Sequence, residues 1–118
     1  MALTTNTRKL GGVIVVDCSG RIVFGEESAS LRILVKDLLT KSRQLVLELG
    51  EVAFIDSGGL GALVGLYSSA RTAGGDIKLA NLSPRVRDLL QLTRLYSAFE
   101  VFDTAEEAAA AFARSASA

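Results

Sequence analysis

The chain reads as a single α/β domain in the order ββαβαβαβα, and three observations carry that reading. Short β-branched apolar runs alternate with stretches in which apolar residues recur every three to four positions. Glycine pairs and the single proline fall between these stretches, where turns and helix caps need them. The length, 118 residues, is that of one domain, enough to bury about 65% of the unfolded surface. Alternation of this kind implies a mostly parallel mixed sheet built from βα crossovers, flanked by about four helices. The domain is placed at 1–113, with 114–118 as a disordered tail.

The elements follow in order. Thr5 to Leu10 reads as a weak edge strand, turned by Gly11-Gly12 into Val13-Ile14-Val15-Val16, a buried strand. Leu31, Leu34, Val35, Leu38 and Leu39 then mark one face of a helix from Glu26 to Lys41. Leu45 to Leu49 is a second core strand, and Val52-Ala53-Phe54-Ile55 extends the apolar stretch to Asp56. A helix over Ser57 to Ala73 follows, its apolar face read as Leu60, Leu63, Val64, Tyr67 and Ala70, and Gly74-Gly75 ends it. Ile77 to Ala80 is a short strand. Ser83-Pro84 opens the third helix, serine as N-cap and proline at the first helical position, with Val86, Leu89 and Leu90 inward. Val101-Phe102 is the last strand. Thr104 and Glu107 fit a capping box before a final helix that carries Ala105, Ala108, Ala109 and Phe112.

Composition narrows the function classes. There is no histidine, so there is no His general base, no Ser-His-Asp triad and no His metal site. The one cysteine, Cys18, makes neither an internal disulfide nor a CxxC metal site. No metal and no cofactor is expected. Thirteen basic and thirteen acidic residues cancel, and without a basic stripe no nucleic-acid partner is expected. The densest basic stretch, Arg71 to Arg94, reads as a solvated helix face. The N-terminus has no signal pattern, and no apolar run approaches the ~20 residues that span a bilayer. Cytoplasmic location without membrane insertion is the expectation.

The informative segment is Phe54-Ile55-Asp56-Ser57-Gly58-Gly59-Leu60-Gly61, with Gly65 one turn later. It lies where a strand runs into a helix, the usual place for a site in a parallel sheet. Each glycine inside a helix costs about 0.5–1 kcal/mol against alanine. Gly61 and Gly65 share one face. Their spacing predicts close packing of that face on the sheet or a neighbouring helix; the sharper reading is a bare face offered to a partner. No phosphate-loop motif is present, and Asp56 already places a negative charge at the helix start. Asp56 and Ser57 are both favoured N-caps, and capping is the expected duty of one of them. Catalysis by Ser57 lacks a base nearby.

The run from Leu45 to Leu63, centred on Asp56-Ser57-Gly58-Gly59-Leu60, resembles the signature of the STAS domain family, and within it the bacterial anti-sigma factor antagonists. Gly20-Arg21-Ile22, Gly74-Gly75, Leu79, Ser83-Pro84, Thr93-Arg94-Leu95 and Phe99 with Thr104 and Glu107 extend the resemblance over almost the whole chain. It implies a regulatory binding protein rather than an enzyme. The implied partner is an anti-sigma factor of the ATPase and serine-kinase type, bound so that a sigma factor is released. Asp56, Ser57, Gly58, Gly59, Leu60, Gly61 and Gly65 are the implied partner-binding residues. In the family, phosphorylation of the antagonist blocks binding, since a phosphate adds about −1.5 to −2 charges to a packed interface.

This sequence departs from the family pattern at the switch itself. The usual hydroxyl acceptor position holds Gly58, an aspartate common after Gly-x-Leu is Val23, and Glu48 stands where aspartate is frequent. Two readings follow: constitutive binding without phosphorylation, or Ser57 as substitute acceptor. An alternative is a STAS subunit of a lipid-transport or other membrane-transporter complex. A redox role for Cys18 is the third, set against the commoner buried small hydrophobe.

Overall fold

The structure is a computed structural model that describes residues 2–117, with side chains through Ala113. Five strands form one mixed sheet in the order β1-β2-β3-β4-β5. β1 (Leu3–Leu10) is antiparallel to β2 (Val13–Ile22); β3 (Gln44–Ile55), β4 (Asp76–Ala80) and β5 (Val101–Phe102) run parallel to β2. The helices are α1 (Glu26–Leu39), α2 (Ser57–Thr72), α3 (Pro84–Leu92) and α4 (Ala105–Ser117), with one 3-10 turn at Tyr96–Ala98. The predicted fold class and element order hold. The predicted tail, 114–118, lies outside the residues whose side chains are described.

Gly11 has φ 64 and Gly12 does not share a positive φ, the pattern of a tight two-residue hairpin with glycine at its first corner. The two central strands are longer than the apolar runs alone predict. β2 continues past Val16 to Ile22 through irregularities between Asp17 and Ser19 and between Gly20 and Arg21. β3 is continuous through Gly50, so Leu45–Leu49 and Val52–Ile55 are one strand. This carries the ends of β2 and β3 to the same level, where Ile22 pairs with Ile55.

Two cores flank the sheet. α1, α2 and α3 bury Leu31, Val35, Leu60, Leu63, Leu66, Val86 and Leu90 on one face, against Ile14, Val16, Leu45, Leu47 and Leu79. α4 alone covers the other with Ala105, Ala108 and Phe112, against Val13, Val15, Val46 and Ala80. The predicted N-caps form, with one of the two bonds of the capping box made at Thr104. The Ser83 hydroxyl accepts from the Val86 N–H and donates to the Val52 carbonyl, and Thr104 Oγ1 accepts from the Glu107 N–H. The Gly75 N–H bonds the Ala70 carbonyl to close α2.

The apolar face of α2 differs from expectation at Val64, Leu66 and Tyr67. Leu66 is buried, whereas Val64 is 37% exposed and Tyr67 only partly covered. Lys78, expected on a solvated face, is 2% exposed. Its ammonium lies 2.9 Å from Glu100 Oε1, 3.3 Å from Asp76 Oδ2 and 4.6 Å from the centre of the Phe112 ring. Of the other cations of that stretch, Arg71 pairs with Asp76, Arg85 lies over Phe54, and Arg87 bonds Tyr96.

Candidate functional site

β3 ends at Ile55 and α2 begins at Ser57, so Asp56 occupies the N-cap with extended backbone. Its Oδ1 accepts the Gly59 N–H at 2.7 Å. The same carboxylate accepts the backbone N–H of Phe24, at 3.1 and 3.2 Å from its two oxygens. Phe24 lies in the turn between β2 and α1, so one side chain holds the helix start and the neighbouring loop together. These backbone donors, the Gly59 N–H foremost, hold the Asp56 carboxyl below the usual aspartate range.

The cap assignment frees Ser57. Capping falls to Asp56, and among the described residues nothing hydrogen-bonds the Ser57 hydroxyl, which is exposed on the first turn.

The glycines of the segment divide by environment. A Cβ on Gly59 would collide with the Ile22 backbone carbonyl, so only glycine lets the end of β2 approach α2 this closely. A Cβ on Gly58 would lie 2.5 Å from Phe24 Cβ and 3.2 Å from Phe24 Cα. Gly61 and Gly65 meet nothing within 4 Å. The packing predicted from their spacing is therefore absent: the shared face points to solvent, because rotating Gly59 onto the sheet carries Gly61 and Gly65 away from it. Leu60 is buried and anchors the helix.

The result is an exposed surface over the first turns of α2, made by Ser57, Gly61, Val64 and Gly65, with Gly58 half-buried beside Phe24. Two aromatic rings border it. Phe24 is 81% exposed and Phe54 41% exposed, the latter under the Arg85 guanidinium at 5.5 Å. Neither ring stands out in the sequence. Phe24 belongs to no periodic run, and Phe54 lies within an apolar stretch whose buried members are Val52 and Ile55. The one hint was Phe24 beside Gly25, an apolar residue in a turn.

Cys18 stands apart. It is buried in the larger core, and loss of hydration pushes its thiol up to about 12, with Asp17 and Glu48 adding to the rise. A thiolate at neutral pH is thereby disfavoured. Among the described residues no group of His, Cys, Asp and Glu side chains forms a metal site, and no helix is long and apolar enough to cross a membrane.

The family model for the STAS domain matches residues 4–108. The chain belongs to the STAS domain family. It is similar to the anti-sigma-B factor antagonist of Bacillus subtilis, at 32% identity across 68% of this chain and 61% of that relative. It is 28% identical to the anti-sigma F factor antagonist of Paenibacillus polymyxa, across 78% of this chain and 80% of that one. The crystal structure of an anti-sigma factor antagonist from Mycobacterium paratuberculosis superposes with a TM-score of 0.79 at 28% identity, covering 93% of each chain.

Proposed function

We propose that this protein is a regulatory binding protein of the anti-sigma factor antagonist type, which docks the first turns of α2 onto an anti-sigma factor of the serine-kinase kind and frees a sigma factor. The carrying observation is the open face of Gly61 and Gly65 beside Asp56, Ser57 and Gly58, at the end of β3. Two helical glycines that pack against nothing cost stability within the monomer, and close approach of a partner's backbone gives them a use. The names of the relatives support the same role.

Docking here is constitutive. Gly58 offers no hydroxyl, and Phe24 lies where its side chain would be. The exposed Phe24 and Phe54 rings with Arg85 are the residue types that dominate binding energy in interfaces. Ser57 is the remaining hydroxyl at the helix start, and its phosphorylation is the competing mode.

The test is affinity capture from the native cell, comparing wild type with Gly61→Trp. Wild type is expected to retain an anti-sigma factor and the folded variant to lose it. Capture that survives Gly61→Trp places the interface elsewhere, and recovery of transporter subunits instead favours the transport-complex role.

A further inference from the structure

The sheet ends on two unlike edges. β5 has two residues, too few to template another strand, whereas β1 has eight. β1 contains no proline and pairs with β2 without a bulge. Among the described residues, no backbone group outside β2 bonds to residues 3–10. The devices that usually blunt an edge are thus missing from most of its length.

The direction of its free groups follows from the hairpin. A two-residue loop closes on Leu10 and Val13, so that pair exchanges ladder hydrogen bonds. Stepping back in twos, Arg8, Asn6 and Thr4 also bond to β2. The N–H and C=O groups of Leu3, Thr5, Thr7 and Lys9 therefore point away from the sheet.

We propose that this edge is a self-association surface, on which β1 of a second copy pairs antiparallel about a two-fold axis at Asn6. In that register Leu3 faces Lys9 of the second copy, Thr5 faces Thr7, and the two Asn6 residues face each other. It is the register in which all four outward-pointing residues meet outward-pointing residues. Charge selects the same orientation. Arg8 and Lys9, the only charges of β1, lie together at its end; antiparallel pairing separates them to opposite ends, whereas parallel pairing would stack them. The strand is complementary to itself in one direction, and the dimer is a continuous ten-stranded sheet.

Sedimentation of the full chain from about 1 μM to about 1 mM tests this, the range in which small interfaces dissociate. The mass is expected to rise from monomer towards twice that value. Thr7→Pro removes one outward N–H and no ladder bond, and is expected to stay monomeric. Thr5→Lys combined with Thr7→Lys sets lysine opposite lysine and should do the same without altering the backbone. Asn6→Cys should form a disulfide-linked dimer on oxidation, because facing residues of this kind bring Cα atoms to about 4.5 Å. A monomer throughout the series overturns the proposal, as does a dimer that persists in both edge variants or an Asn6→Cys chain that does not cross-link.

Discussion

Both carboxylate oxygens of Asp56 lie within hydrogen-bond distance of the Phe24 backbone N–H, at 3.1 and 3.2 Å, while Oδ1 also caps α2 through Gly59. One side chain thus couples the helix start to the loop that presents an exposed aromatic ring. Asp56→Ala should lower the thermal midpoint and weaken partner binding together. The effect is also pH-dependent. The folded-state pKa is depressed, so the contribution is complete above the ordinary aspartate value of about 3.9 and is lost as pH falls through the folded value. Thermal melts of wild type and Asp56→Asn between about pH 2 and pH 5 check this. Wild type should lose its advantage on acidification, and the variant should lack that component.

The four glycines of the segment should respond with opposite signs. Gly59→Ala drives a methyl into the Ile22 carbonyl and is expected to destabilise by about 1–3 kcal/mol or more. Gly61→Ala and Gly65→Ala meet open space inside a helix, and each should stabilise by about 0.5–1 kcal/mol. Urea denaturation resolves these differences. The same two alanines should weaken partner binding, which separates their role in docking from their cost in folding.

Restoring a hydroxyl at Gly58 is predicted to disturb Phe24. Gly58→Ser places Cβ 2.5 Å from Phe24 Cβ, so the variant should lose about 1–2 kcal/mol. Phe24→Gly removes the obstacle. A double-mutant cycle should therefore show favourable coupling, with the serine nearly neutral when Phe24 is absent.

Lys78 is a buried cation held between Asp76, Glu100 and the Phe112 ring. Lys78→Met keeps much of the packing but leaves the largely buried Asp76 with only Arg71 opposite it, so it should be less stable than wild type. Lys78→Ala loses that packing and is expected to cost about 2 kcal/mol or more, measured by the same denaturation.

Cys18 should be inert. Its thiol is pushed up to about 12 by burial. Under native conditions a thiol reagent at neutral pH should modify it only as fast as the core opens, and at once in denaturant.

Much of this was legible in the chain, for identifiable reasons. Strand and helix order follows from periodicity, and Ser83-Pro84, Thr104 and Gly74 mark helix ends by chemistry that acts within a few residues. What periodicity leaves open is rotation. It places Gly61 and Gly65 on one face without saying which way that face points. The deciding contact, Gly59 on the Ile22 carbonyl, joins segments far apart in sequence. The same contact turns Leu66 inward and Val64 outward. Phe24 was illegible because its importance comes from Asp56 and Gly58, more than thirty residues away. Lys78 sits in a basic stretch that reads as solvated, since two of its three partners, Glu100 and Phe112, lie far along the chain, before β5 and on α4.

In the proposed role the α2 face binds a partner without a phosphorylation switch. The deciding measurement is the affinity of this chain for the purified anti-sigma factor proposed as its partner, with and without ATP, read together with the mass of the chain. The same affinity in both conditions and no gain of a phosphoryl group are expected. An ATP-dependent loss of binding, accompanied by one phosphoryl group that disappears in Ser57→Ala, would contradict that role.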